Sequence, residues 1–243
     1  ELVVAYTIET VRAGLTPNPD MLCNSMIKFG AFYEVIGSEY DKIATGHYAQ
    51  IEERDGIFYL RKTPDAIKDQ TYFLARLRQD QLSRLLFPIG SYTKSEVRAF
   101  AKQFNLATQV RKDSQGLCFL GKISFREFIK QQIGEQEGPL IEIETGVIQG
   151  KHKGFWFYTI GQRQGIGLSA GPWYVVKKDP QQNIVYISKA YHAEDKRRDQ
   201  FSIDQVQWFA GREPATDQLS VKIRHGAQCH KATLQKTETG YRI

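Results

Sequence analysis

The chain has 243 residues and a formal net charge of +6, from 33 Lys and Arg against 27 Asp and Glu. Hydrophobic residues make up 41% and charged residues 25%, the balance of an ordinary soluble protein, and no apolar run approaches the roughly 20 residues of a membrane helix. The composition therefore excludes a spanning helix, and the basic balance favours a polyanionic partner.

The first half of the chain has the pattern of an α/β fold. Apolar residues at near-helical spacing predict an amphipathic helix over residues 24–38. A short apolar run over 43–45 predicts a buried strand, and two alternating runs within 48–61 predict a hairpin that turns at Asp55-Gly56.

Two capping boxes predict the starts of further helices. Thr93 is followed three residues later by Glu96, and Ser124 by Glu127. In each box the hydroxyl can accept a hydrogen bond from the backbone amide of the glutamate, and the glutamate carboxylate can accept one from the backbone amide of the Thr or Ser. We expect the first helix to run to about residue 104 and the second to about residue 133.

From Gly138 onward the sequence consists of short apolar runs separated by Gly, Asn and Asp-Pro. These runs cover 140–143, 155–158, 173–176 and 184–187, and they predict a small β-rich module. A similar pattern resumes after the charged stretch that ends near 198. We place domain boundaries near residues 125 and 198.

The three cysteines are Cys23, Cys118 and Cys229. An odd, sparse set without C-x-x-C argues against a disulfide-stapled secreted domain and against a zinc ribbon. Such a set is typical of a protein in a reducing cytoplasm, where each cysteine either packs in the core or takes part in the reaction. For Cys229 we favour the structural role, although His225 and His230 flank it.

Cys23 follows two prolines that stiffen the preceding backbone. If Asp20 caps the next helix, Cys23 lies in the first helical turn, where the helix dipole favours a thiolate. An ordinary buried cysteine beside an ordinary Asp cap explains the same residues.

Cys118 lies in a turn-forming Asp-Ser-Gln-Gly context with Arg111 and Lys112 nearby. These cations would stabilise a thiolate or a persulfide. An incidental cysteine on a surface loop is the alternative.

Two polar segments remain open in function. Lys68, Asp69 and Gln70 could hold a phosphate or base edges, or could be a solvated loop. The Gly-rich stretch 161–167 around Arg163 is not a dinucleotide fingerprint, because its glycines have the wrong order. It could approach RNA or another domain.

Seven motifs of this sequence occur in a single order: TPNPD-x-x-CN-x-x-IKF, ATGHYA, KDQ-x-YFL, LFP-x-G, KDS-x-G-x-CF, T-x-GQR-x-G-x-G and PWYVV. Together they resemble the bacterial tRNA-specific 2-thiouridylases, also called tRNA (5-methylaminomethyl-2-thiouridylate)-methyltransferases. The resemblance covers essentially the whole chain, and the two cysteine motifs are its most specific parts.

The resemblance implies an ATP-dependent thiolation of carbon 2 of the wobble uridine in tRNAs for Lys, Glu and Gln. It implies an α/β fold over 1–125, the rest of a PP-loop adenine-nucleotide-hydrolase-like domain, then a small α+β central domain over 126–198 and an incomplete C-terminal β-barrel over 199–243. The phosphate loop of the family does not occur in this sequence. We therefore expect the chain to be a fragment that is inactive alone.

The same resemblance implies roles for individual residues. Cys23 would be the nucleophile, Cys118 would carry the persulfide, and Gly46 would lie at the nucleotide. Apart from the resemblance, the position of Asp20 three residues before Cys23 suits it to move protons. The residues implied in tRNA binding are Asn18, Pro19, Asp20, Lys68, Asp69, Gln70, Arg224 and His225, the last at a position where the family often has Tyr.

Several routes of sulfur transfer remain open. Cys23 can attack a persulfide on Cys118 and release sulfide, or the persulfide can attack directly and Cys23 resolve the adduct. A third hypothesis is an iron–sulfur cluster on Asp20, Cys23 and Cys118. ATP with Mg²⁺, which would adenylate the C2 oxygen, and a sulfur-carrier protein are the expected cofactors and partner. The rival functions are a non-catalytic tRNA-binding module and, more weakly, a dithiol oxidoreductase.

Overall fold

The computed structural model describes residues 1–111, 121, 123–193 and 199–243. The chain divides into two compact units, one of Glu1–Pro19 with Ser114–Arg198 and one of Asp20–Asp113 with Asp199–Ile243. No helix of the described residues is long and apolar enough to cross a membrane. The domain boundaries at 125 and 198 stay a prediction.

Six α-helices are present in the described residues: α1 (Leu2–Arg12), α2 (Pro19–Leu22), α3 (Phe32–Ile36), α4 (Gln79–Leu82), α5 (Lys94–Gln103) and α6 (Phe125–Ile133). A π-helical segment, Cys23–Ala31, joins α2 to α3, and 3₁₀ turns cover Gly37–Glu39, Thr71–Leu74 and Phe155–Phe157. The thirteen strands of the same residues are β1 (Ile43–Ala44), β2 (Gln50–Arg54), β3 (Ile57–Arg61), β4 (Leu85–Leu86), β5 (Gly138–Glu142), β6 (Ile148–His152), β7 (Tyr174–Asp179), β8 (Ile184–Ser188), β9 (Ser202–Ile203), β10 (Gln218–Val221), β11 (His230–Thr233), β12 (Gln235–Thr237) and β13 (Gly240–Arg242).

The unit that contains Cys23 packs its helical segment on a short parallel strand pair, β1 with β4. Its core consists of Phe29, Ala49, Leu74, Leu77, Leu82 and Leu85. The predicted hairpin is confirmed: β2 pairs with β3 in antiparallel register. Asp55 and Gly56 both have positive φ, 52° and 74°, as the tight turn of a two-residue hairpin requires.

Both capping boxes are confirmed. Thr93 accepts from the Glu96 amide and begins α5, and Ser124 accepts from the Glu127 amide and begins α6. The predicted helix over 24–38 is helical throughout, but it begins earlier, at Pro19, and is π-helical over Cys23–Ala31.

The other unit is built on a mixed sheet of strand order β6-β5-β8-β7. Its core includes Leu140, Val175, Val185 and Ile187, which are fully buried. Three of the four predicted runs are strands. The run at 155–158 is instead a 3₁₀ turn, because Gly154 takes a φ of 136° that breaks the extended path.

The described C-terminal strands form two small sheets, β12-β13-β9 and β10-β11. The expected barrel over 199–243 is therefore not closed in these residues, since a closed barrel needs every strand to have two neighbours. An α/β part followed by a β-rich part agrees with the predicted fold class.

Candidate functional site

Cys23 begins the π-helical segment and is buried, with 6% of its surface exposed. Pro19 is the first residue of α2, a position that suits proline because its missing N–H has no helical partner there. Asp20 therefore lies inside the first turn, and the prediction that it caps the helix is wrong. Cys23 falls beyond that turn, where the helix dipole acts weakly.

Asn24, the neighbour of Cys23, anchors this helix to a distant segment. It is buried, its Nδ2 donates to the carbonyl of Phe73 at 3.1 Å, and its Oδ1 accepts from Lys28 Nζ at 3.0 Å. A buried amide with both ends bonded has a defined orientation. The Asn24 hydrogen bond thus fixes the backbone next to Cys23 against the 3₁₀ turn at Thr71–Leu74.

A second buried amide, Gln81 of α4, supports the π-helical segment from the other side. Its Nε2 donates to the carbonyls of Ser25 and Phe29 at 2.7 and 2.8 Å. Side-chain donors to helical carbonyls compensate for the poorer packing of a π-helix, and such helices occur often at functional sites.

Gly46 and His47 follow β1 at its carboxyl end. Gly46 is exposed, and a Cβ added there would meet only Ile89 at 4.0 Å, so the surface above it is open. The His47 ring packs against Phe29 and Phe87. Burial, and secondarily the charge of Lys28, lower the pKa of His47 from 6.5 to about 4, so the imidazole is neutral at pH 7.

Hydrogen bonds of all three residues tie the predicted Lys68-Asp69-Gln70 segment to its surroundings, and the Lys68 amide donates to Asp65 Oδ1 at 3.1 Å. The Gln70 side chain accepts from the Tyr48 amide at 2.9 Å, and the Gln70 amide donates to the Tyr48 carbonyl at 2.9 Å. Lys68 is half-buried.

Asp69 is 1% exposed, and its carboxylate accepts from Thr71 Oγ1 at 2.9 Å and from Lys222 Nζ at 2.7 Å. A direct contact between this carboxylate and a ligand would require these buried bonds to break.

The predicted residues Arg224 and His225 lie beside that segment. The His225 ring stacks on Phe73 with centroids 4.8 Å apart, and the Tyr72 hydroxyl donates to the Ile223 carbonyl at 3.2 Å. Arg224 and His225 are exposed. The structure therefore brings residues 68–70 and 224–225 to one surface of the unit, and Asn24 connects Cys23 to it through Phe73.

The remaining predicted residues are placed less completely. Pro19 is buried, and the Asn18 amide lies 3.5 Å from the Tyr6 hydroxyl. Cys118 lies outside the described residues, so its role as the persulfide carrier stays a prediction. Cys229 is half-buried, with Lys62 Nζ at 3.3 Å from its sulfur. The described part of the chain holds no group of three metal-ligating side chains.

Two residues of this site, Gln81 and Lys222, were not singled out by their sequence pattern, and Asn24 and Lys28 occurred in the Cys23 motif without an assigned role. Asn24 carried a usable signal, because an amide directly after Cys23 interrupts the apolar face of a helix. Lys222 carried none, since a lysine in an alternating strand is ordinarily solvated.

Comparison with known proteins gives a consistent result. Residues 1–122 match the family described as "tRNA methyl transferase HUP domain", and residues 126–189 match "tRNA methyl transferase PRC-barrel domain". The chain is 48% identical over 252 residues to the tRNA-specific 2-thiouridylase MnmA of Porphyromonas gingivalis, covering 100% of the chain and 70% of that protein.

Two further relatives carry related names. The chain is 46% identical to the tRNA-specific 2-thiouridylase MnmA of Parabacteroides distasonis, covering 99% of the chain and 68% of that protein. It is 48% identical to the tRNA-specific 2-thiouridylase MnmA 2 of Bacteroides fragilis, again over 99% of the chain and 69% of the relative.

Proposed function

Because the chain belongs to the tRNA-specific 2-thiouridylase family, we propose that it is the sulfur-transferring part of an enzyme that converts a tRNA uridine to 2-thiouridine. The observation that carries the proposal is the link from Cys23 through Asn24 and Phe73 to the surface of residues 68–70 and 224–225. A thiol is of no use to simple RNA binding, whereas sulfur transfer needs one beside the RNA.

The chemistry requires two cysteines. Cys118 would carry a persulfide, loaded by a sulfur-carrier protein. The Cys23 thiolate attacks the Cys118 sulfur of that persulfide, which forms a Cys23–Cys118 disulfide and expels hydrosulfide. Hydrosulfide then attacks carbon 2 of the uridine. A dithiol reductant restores both thiols afterwards.

Asp20 would accept the proton of the Cys23 thiol. It lies three residues before Cys23 in a helical stretch, a spacing that places two side chains on one face. In the alternative route the persulfide attacks carbon 2 directly, and Cys23 resolves the adduct. A cluster held by Asp20, Cys23 and Cys118 stays a third hypothesis, with one ligand fewer than the usual four.

The oxygen on carbon 2 is a poor leaving group, so we propose that ATP activates it as an adenylate, with Mg²⁺ balancing the phosphate charge. The open surface above Gly46 is where the nucleotide would lie. Neutral His47 beside it adds no charge at pH 7.

For the tRNA, we propose that Asn18, Pro19 and Asp20 meet the target base, and that Lys68, Gln70, Arg224 and His225 meet the RNA around it. Asp69 would act indirectly, by holding the segment in place through Lys222. Wobble uridines of the Lys, Glu and Gln tRNAs are the proposed substrates, and a reducing cytoplasm is the proposed compartment.

The test uses a bacterial strain whose tRNA lacks 2-thiouridine. We expect the complete gene that contains this sequence to restore 2-thiouridine, measured by mass spectrometry of tRNA nucleosides. Cys23→Ser should abolish restoration, because the nucleophile is lost, whereas Cys229→Ser should retain it. Full restoration by Cys23→Ser would refute the proposed nucleophile, and no restoration by the unaltered gene would favour a non-catalytic tRNA-binding module.

A further inference from the structure

The Gly-rich loop around Arg163 is fixed against the edge of β7. The Gly161 amide donates to the Val175 carbonyl at 2.8 Å, and the Val175 amide donates to the Gln162 carbonyl at 3.0 Å. The Gln162 side chain closes the loop on itself, since its Oε1 accepts from the Thr159 amide at 3.0 Å and its Nε2 donates to the Gln164 carbonyl at 2.9 Å. The loop is therefore pre-organised.

Arg163 projects from this fixed loop as an exposed charge. Within the described residues it makes no ion pair and no hydrogen bond, although the loop backbone on both sides of it is bonded. Among the described residues, the Arg163 charge therefore has no partner through which it would stabilise the fold. The arrangement suits a ligand with anionic oxygens, which guanidinium groups bind through parallel hydrogen bonds.

A cluster of three rings lies on the adjoining strand and the segment after β8. Tyr174 stacks on Tyr191 with centroids 5.1 Å apart and planes inclined by 18°. His192 meets both rings edge-on, at 5.7 and 5.1 Å. Tyr174 and Tyr191 are half-buried and His192 is exposed, so the cluster presents ring surface to solvent.

One cation lies on the same face of the sheet as Tyr174. Val175 and Ile187 point into the core, so their strand neighbours Tyr174 and Tyr186 point away from it. Lys177, paired with Tyr186 across the strands, holds its ammonium 5.3 Å from that ring.

Two acidic side chains of the same unit have hydrogen-bond partners. Asp179 accepts from the Gln181 and Gln182 amides, and Glu144 accepts from the Ser188 hydroxyl. The outward face of the sheet thus combines flat rings with the Lys177 ammonium.

We propose that Arg163, Lys177, Tyr174, Tyr191 and His192, here called the Arg163 face, form an additional tRNA contact. Arg163 binds a backbone phosphate, and the ring cluster stacks on an unpaired base, the combination by which proteins hold single-stranded RNA segments. This inference rests on the proposed function, because the tRNA that it names as ligand is the substrate proposed there.

The experiment measures tRNA affinity of the purified chain over a series of salt concentrations. We expect Arg163→Ala to weaken binding and to reduce the slope of log affinity against log salt by about one, the effect of one lost phosphate contact. The matched control is Lys151→Ala, which removes an exposed cation of the same unit, on β6, that pairs with Glu137. It should leave the affinity and the slope unchanged.

Ring stacking is tested at Tyr174. Tyr174→Ala should weaken binding by about 5- to 150-fold, the range measured for one base stacked on an aromatic side chain, whereas Tyr174→Phe should retain the affinity. Because Tyr174→Ala can disturb the sheet, the unaltered chain is also crosslinked to tRNA with ultraviolet light. Mass spectrometry should then find RNA on Tyr174 or Tyr191.

Equal losses for Arg163→Ala and Lys151→Ala, or crosslinks confined to other residues, would overturn the inference. Either result would leave the sulfur-transfer proposal standing, since that proposal is decided by Cys23. A chain that binds tRNA at no salt concentration would overturn both.

Discussion

His47 shows how a single buried side chain can make this protein sensitive to pH. Its ring centroid lies 5.8 Å from that of Phe29 and 5.9 Å from that of Phe87, and its Nδ1 lies 2.8 Å from Thr45 Oγ1. Burial first and Lys28 second lower the pKa of His47 to about 4. The folded chain therefore holds the neutral imidazole, while the unfolded chain takes up a proton near pH 6.5.

It follows that His47 favours unfolding as the pH falls. Between about pH 6.5 and pH 4 the unfolded state binds more protons, so stability contributed by the neutral ring is present above pH 6.5 and is lost towards pH 4. We expect the free energy of unfolding to fall by about 2 to 3 kcal/mol more in the unaltered chain than in His47→Gln between pH 7.5 and 4.5. Urea denaturation at several pH values measures both.

Parallel curves for the two proteins would contradict this expectation. Carboxylates whose pKa values are lowered in the folded chain, such as Asp65, which accepts the Lys94 amide, also reduce stability in acid. They do so equally in both proteins, so the difference between the curves isolates His47.

At the scale of secondary structure, the sequence predicted elements whose signals are local. The hairpin followed from Asp55 and Gly56, which tolerate positive φ, and two helices followed from Thr93 and Ser124 as N-caps. Each signal lies within four residues of the feature that it determines.

The π-helical winding of Cys23–Ala31 could not be predicted in the same way. Its carbonyls are supported by Gln81, which is 56 residues from Ser25 and 52 from Phe29. Side-chain periodicity at near-helical spacing describes α- and π-windings alike over two turns. The start at Pro19 was missed for a different reason, because Asp is favoured both at the N-cap and in the first turn of a helix.

Gln81 can be tested as a support of this helix. Gln81→Ala removes both donors to the helical carbonyls and an acceptor for the Arg78 amide at 3.0 Å. We expect the free energy of unfolding to fall by about 2 kcal/mol or more, since net losses of about 1 kcal/mol accompany each buried hydrogen bond. Thermal and urea denaturation measure the change.

The matched control is Gln103→Ala at the exposed end of α5, which should change the free energy of unfolding by less than about 0.5 kcal/mol. If Gln81→Ala changed the free energy of unfolding as little as Gln103→Ala, the Gln81 amide would contact the π-helix without stabilising it.

At the scale of the whole chain, the candidate site depends on contacts between segments far apart in sequence. Asp69 and Lys222 form an ion pair although they are 153 residues apart in sequence. Tyr72 with Ile223 and Phe73 with His225 form further contacts between the same two segments. Motifs identified Lys68, Asp69, Gln70, Arg224 and His225 separately. Their common location needed the fold, because pairing across such a distance leaves no periodic signal in the chain.

The Asp69–Lys222 ion pair is the part of this junction that is best protected from water. The side chains are 1% and 12% exposed, with 2.7 Å between Oδ2 and Nζ. Removing one partner of a buried pair leaves the other charge without compensation, which costs about 3 to 5 kcal/mol. We therefore expect Lys222→Met to lower the free energy of unfolding by about that amount, measured by urea denaturation.

The double variant Asp69→Asn with Lys222→Met should recover most of this loss, because no buried charge then remains unpaired. Lys236→Met provides the control, since it breaks an ion pair of similar length with Glu213 in the same C-terminal segment, but with both side chains exposed. It should leave stability nearly unchanged. If Lys222→Met behaved like Lys236→Met, the segments would be joined by their ring contacts alone. A large loss that the double variant reverses would instead identify the buried pair as the junction that holds residues 68–70 beside residues 224–225.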